Sequence, residues 1–182
     1  MKAIARILLS GALALAGCTT AGADPVTSPT PTIASHFGGT DLAWIEINIA
    51  MNEELLPLLD LVPQRSGRPD VQAMAQQTKT FTDAELTALR ELHDQAGLPK
   101  ENPHKNMPMP GMVTSDQVTK AAKLAGKEFD TLVLKALQEH LEQSEKLAGS
   151  EDRSGVEPQT RALALQIIRT RHAALSSIKE AS

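Results

Sequence analysis

Four stretches of this chain carry apolar residues at three- and four-residue steps, and they fall into two pairs related by a shift of 89 positions. Without a gap, that shift lays residues 41–93 on residues 130–182. It matches Asp41 with Asp130, Glu53 with Glu142, Leu58 with Leu147, Pro69 with Pro158 and Leu86 with Leu175. Ten of the 53 aligned positions are identical, and the agreement runs through helix, turn and helix. A helical hairpin with one apolar stripe cannot bury that stripe alone, whereas two such hairpins related by a pseudo-twofold bury both. The expected fold is therefore all-α, a four-helix bundle made of two repeated αα-hairpins, about 41–93 and 130–182.

The elements follow from the pattern. The Gly38-Gly39-Thr40-Asp41 run starts the first helix, with Thr40 or Asp41 as its cap. Trp44, Ile47, Met51, Leu55 and Leu58 form its stripe, and Ile45, Ile49, Leu56 and Leu59 widen it. Pro57 should kink this helix, and Pro63 to Pro69 reads as a turn. Asp70 should cap the second helix, whose face carries Val71, Met74, Thr78, Phe81, Leu89 and Leu92 and which ends at Gly97 and Pro99. Glu85 falls on the same face, so it is either buried with a partner or at the rim. Residues 98–113 are broken by proline, and a short helix runs from the Thr114-Ser115-Asp116 cap to Gly126. The third long helix is expected from Phe129-Asp130 to Gly149, and the fourth from Pro158 to Lys179. The crossover from 94 to 129 is long, as in ferritin-like bundles rather than simple up-and-down ones.

The beginning of the sequence reads as a targeting signal. Lys2 and Arg6 precede an apolar run, Ile7 to Leu15, too short to span a bilayer. Leu15-Ala16-Gly17-Cys18 then resembles a bacterial lipoprotein signal, which implies removal of residues 1–17 and lipidation of Cys18. Two acyl chains on that residue anchor a protein stably to a membrane. Residues 18–37, rich in Pro and Thr, would form a tether, and residues 38–182 the folded part. Cys18 is the only cysteine, so its lipidation leaves no thiol for catalysis, disulfides or metal. Loss of Lys2 and Arg6 takes the formal charge from −4 to −6. That balance argues against nucleic acid as a partner. Aromatic residues make up only 2% of the chain and Tyr is absent, which disfavours stacking platforms.

Two groups of residues offer chemistry. In the crossover, His104, Met107, Met109 and Met112 supply an imidazole and three thioethers, a donor set suited to Cu(I). Thioethers need no deprotonation and survive where thiols oxidise. The competing reading is that these methionines pack the crossover onto the bundle as adaptable apolar fillers. In the interior, Met51 and His140 occupy equivalent positions of the two repeats and are expected to face each other, with Glu85 or His172 as further donors. His36 and His93 read as surface or capping residues. The only Glu-x-x-His, Glu101 to His104, lies in the proline-broken crossover, so no helix carries a di-iron motif and an enzyme is not expected.

A family resemblance rests on the crossover and on the helix that follows. Asn102-Pro103-His104, then Gly111-Met112-Val113-Thr114, a short helix and Gly126-Lys127-Glu128-Phe129-Asp130 resemble the domain of unknown function 305 family. The resemblance spans residues 38–182 and implies a tandem-hairpin, ferritin-like bundle, often extracytoplasmic. Some members, the CopM-like ones, are periplasmic copper-binding proteins. The family's paired histidines fall here on Met51-Asn52 and His140-Leu141, leaving one of four. Its Gln-x-x-Glu falls on Thr82-Asp83-Ala84-Glu85 and Arg171-His172-Ala173-Ala174.

Two functions follow as expectations. One is a cell-envelope lipoprotein that captures or buffers Cu(I) through Met and His. The other is a metal-free lipoprotein that keeps the bundle and docks a protein partner.

Overall fold

The computed structural model describes residues 36–181; the signal, Cys18 and nearly all of the tether expected above lie outside them. Five helices follow one another, α1 (Gly39–Arg65), α2 (Pro69–Ala96), α3 (Ser115–Ala121), α4 (Gly126–Ser154) and α5 (Pro158–Ala181), with no strand among the described residues. The hairpins α1–α2 and α4–α5 pack against each other through α1 on α4 and α2 on α5. The start of α1 meets the turn after α4, so neighbouring long helices run antiparallel. The crossover must then travel the length of the bundle. It does so along α1 and α4, where α3 also sits.

Helix boundaries differ from the sequence pattern at points with clear causes. Gly38, rather than Thr40 or Asp41, is the N-cap of α1, and Asp41 at N3 reaches back to accept from the Gly38 amide at 2.7 Å. Pro57 and Pro63 both lie inside α1, which runs on to Arg65. Both rings face solvent, where water can satisfy the carbonyl each proline deprives of a donor. Arg68, not Asp70, precedes α2. Pro69 takes the first helical position, and Asp70 pairs with the Arg68 guanidinium. The short helix stops at Ala121 instead of Gly126, and α4 starts three residues early, at Gly126. At its other end α4 passes Gly149 and continues to Ser154, because Ala148 and Glu151 are both buried there. Thr114 does cap α3. Its hydroxyl accepts from the Gln117 amide at 3.2 Å, and the Gln117 side chain accepts the Thr114 amide at 2.8 Å.

The interior holds two large apolar clusters divided by a polar layer, and a small third one beside the crossover. One cluster gathers Leu55, Leu58, Val62, Phe129, Val133, Leu137 and Ile178, the other Trp44, Ile45, Ile49, Leu89, Leu163 and Ile167. Between them, Glu85 of α2 and Arg171 of α5 form a bidentate ion pair, Nη1–Oε1 at 2.8 Å and Nη2–Oε2 at 2.6 Å. Arg171 is 0% exposed and Glu85 1%. The guanidinium also donates through Nε to Ser144 of α4 at 3.1 Å and lies 4.6 Å over the Phe81 ring. Asn52 of α1 donates to Glu85 at 3.4 Å. All four long helices therefore meet on one pair of charges.

A buried pair costs most when half of it is removed, since the survivor is an uncompensated charge. Arg171→Met should lower stability by roughly 3–5 kcal/mol. The double variant Glu85→Leu, Arg171→Met should recover most of that. Urea denaturation followed by circular dichroism distinguishes the two.

Candidate functional site

The crossover is fastened to the bundle at successive points. The Asn102 side chain donates to the Glu46 carbonyl at 2.8 Å, and the Asn106 amide to Glu54 Oε1 at 2.5 Å. The chain then crosses to α4, where Gly111 presses its backbone onto the helix. A Cβ on Gly111 would lie 2.5 Å from Gln143 Cβ and 2.8 Å from the Glu139 carbonyl, and its φ is +74°. Only glycine fits, on both counts. This approach lets the Gly111 carbonyl accept from His140 Nδ1 at 3.2 Å and sends Met112 into the core.

Met112, Met51 and Ala50 form a small buried cluster of their own, with Met109, Ile47 and Leu147 packed against it. His140 is 0% exposed, and its Nε2 has no hydrogen-bond partner. With Nδ1–H donating to Gly111, Nε2 carries the free lone pair. Burial lowers the His140 pKa to about 3, helped by the nearby Arg171 charge, while the Gly111 hydrogen bond works in the opposite direction. The imidazole is therefore neutral at any ordinary pH. A cleft of about 930 Å³ opens between crossover and α4 over this region, its walls including Met109, Met112, Glu139 and Glu142.

The expected ligands are thus partly united and partly dispersed. Met51 and Met112, one from each expected group, come together, and His140 is tied to the residue before Met112. The four crossover residues do not gather as one loop site. Met107 is 43% exposed, Met109 half-buried and Met112 buried, because proline and Gly111 turn successive side chains different ways. His104 is half-buried on the strap, its amide donating to Asn102. His172 is no interior donor; its side chain is exposed on α5 and 3.9 Å from Glu145. Glu85 is committed to Arg171. His93 bonds the Pro99 carbonyl through Nε2 at 3.1 Å and so fastens the exit of α2. Among the described residues no group of three His, Cys, Asp or Glu side chains forms a metal site. Sequence reasoning missed Arg171 as a core residue. The signal was its place in the series Leu163, Ile167, Arg171, Ala174 and Ile178, which puts a cation on the buried face of α5.

A duplicated-hairpin, ferritin-like helical bundle with a strapped crossover is the class of protein these features define. The family model for the domain of unknown function DUF305 matches residues 41–182, and the chain belongs to that family. The crystal structure of a DUF305 protein from Streptomyces coelicolor, described as secreted, superposes with a TM-score of 0.69 at 17% identity, over 78% of this chain and 90% of that one. A DUF305 fragment from Deinococcus radiodurans gives 0.69 at 15% identity, over 80% and 96%. At these identities the likeness is one of fold. No curated protein matches the chain.

Two outcomes test the geometry. The buried neutral His140 takes up its proton only on unfolding, so its contribution to stability is intact above pH 6.5 and is lost as pH falls toward 3. Unfolding free energy should drop as pH falls below 6.5, with a slope that approaches about 1.4 kcal/mol per pH unit by roughly pH 5.5. His140→Asn, which keeps a donor toward Gly111, should flatten that slope between pH 6.5 and 5. Gly111→Ala should destabilise the bundle by more than about 1 kcal/mol in the same denaturation assay.

Proposed function

We propose that this protein is an extracytoplasmic, lipid-anchored bundle that captures or buffers a soft monovalent metal ion, Cu(I), without turnover. The observation that carries this reading is the buried His140 Nε2, which has no protein partner and lies at the methionine-bearing crossover. Two thioethers and a neutral imidazole suit Cu(I) and do not suit hard cations. His140 Nε2, Met51 and Met112 would hold the ion, with Gly111 fixing the imidazole tautomer as an outer-shell partner. Met109, at the wall of the cleft, lines the approach. The low His140 pKa keeps the nitrogen available in acid, and thioethers need no proton loss. The lipoprotein-like signal ending at Cys18 and the secreted description of the Streptomyces relative agree with an extracytoplasmic location. No helix among the described residues is long and apolar enough to cross a membrane.

A second reading has its own observation. The Arg171 charge is close enough to depress the His140 pKa, and the same field opposes a bound cation. Glu85 neutralises most of it. If the residue matters, the bundle is a metal-free lipoprotein that docks a protein partner.

Titration of the full chain with Cu(I), or with redox-inert Ag(I), against a competing chelator decides between them. One ion per chain is expected. Replacing Met51 and Met112 by Leu should weaken binding at least ~10-fold, about 1.4 kcal/mol, whereas Met107→Leu should leave affinity unchanged. Absence of binding by the parent chain rejects the metal reading.

A further inference from the structure

Three carboxyl groups are buried where the start of α1 meets the end of α4. Asp41, Glu151 and Glu157 are each no more than 2% exposed. Two of them are well supplied with donors. Asp41 accepts the Gly38 amide through Oδ2 at 2.7 Å, and the Val156 and Glu157 amides through Oδ1 at 3.1 Å each. Glu157 accepts the Thr160 amide at 2.5 Å and the Thr160 hydroxyl at 2.8 Å, which caps α5. Glu151 has no such donors; neither carboxyl oxygen meets an N–H or a hydroxyl. It lies folded over Gly155, where any Cβ would overlap Oε1, and the amide of the next residue, Val156, donates to Asp41, so the two carboxyls meet at the same turn.

Two adjoining carboxyls in a dry site cannot both be ionised. Asp41, aligned with three amides, is the natural anion. Glu151, with no donor of its own, is then the one to keep a proton. We propose that Asp41 and Glu151 form a proton-operated latch: their shared proton clamps the start of α1 to the α4–α5 turn, and its loss in mildly alkaline medium releases that end of the bundle.

The charges facing Glu151 agree. Burial, the Asp41 hydrogen bond and charge, and Glu157 push its pKa up to about 8, while Arg161 of α5 pulls the other way. Arg161 is itself engaged with the Asp152 carbonyl and carboxylate. For Asp41, burial raises the pKa, but the Glu151 hydrogen bond and the Glu157, Gly38 and Val156 amides outweigh it, and the net shift is downward. Because the Glu151 pKa is raised on folding, its contribution is complete below pH 4.5 and is lost as pH rises through about 8. The polar layer of Glu85 and Arg171 has no part in this, so opening is confined to one end. The repeat supplies a comparison: the mate of Glu151 is Val62, and the mate of Asp41 is Asp130. Only one of the two equivalent junctions holds the carboxyl pair.

Amide hydrogen exchange on the full chain from pH 6 to 9.5, corrected for intrinsic rates, tests the latch. Protection at Gly38, Val156 and Glu157 should fall at least ~10-fold between pH 7 and 9, while amides around Leu86 and Ser144 stay protected. Glu151→Gln, which keeps an N–H donor toward Asp41, should hold protection flat. Flat protection in the parent chain, an equal loss at Leu86 and Ser144, or the same loss in Glu151→Gln would overturn the proposal. Should that variant not fold, ¹³C detection of the side-chain carboxyls in the parent chain decides: a carboxyl titrating near pH 8 supports the latch, and none above pH 6 refutes it.

Discussion

The bidentate contact between Arg171 and Glu85 sets the register of everything around it. A guanidinium buried without a matching anion is ruled out energetically, so α5 and α2 can pack at one longitudinal offset only. Ser144 fixes α4 to the same level and Asn52 fixes α1. Leucine and isoleucine stripes alone tolerate sliding by a turn; one fork of charged hydrogen bonds does not. The apolar clusters on either side supply the bulk of the stabilisation, and the polar layer selects the single arrangement in which they close.

That offset also decides what the crossover meets. It brings Met51 of α1 and His140 of α4 to the level at which the crossover turns inward at Gly111. Gly111 is the hinge of the arrangement, since its missing side chain admits the backbone to α4 and its carbonyl orients the imidazole. Met112 then packs against Met51 and Ala50 in the interior. The strap thus joins two buried thioethers, Met51 and Met112, to a neutral imidazole held through the Gly111 carbonyl.

Much of this was legible in the residues. The four stripes, the 89-residue repeat and the proline-broken crossover predict the duplicated hairpins, and Pro69 and Pro158 do open equivalent helices. Periodicity reports which face a residue occupies, so Glu85 could be placed on the apolar face, either buried with a partner or at its rim. It could not name Arg171, which lies 86 positions away on another helix. Helix ends were less legible, because Pro57, Pro63 and Gly149 are local signals that tertiary burial overrides. The crossover methionines were read as one group. Their separation into exposed Met107 and buried Met112 depends on a steric contact between Gly111 and Gln143 that no local rule contains.

By itself the sequence determined the all-helical class, the duplication, the family and the kinds of donor atom available, because these depend on side-chain identity and spacing along the chain. Only the tertiary structure decided which donors are neighbours. It joined Met51 to Met112, gave His140 a carbonyl for one nitrogen and nothing for the other, and set Glu151 against Asp41. Those choices follow from the relative offset and rotation of four packed helices. That geometry is fixed by long-range closure of the core and is not carried by any short stretch of the chain.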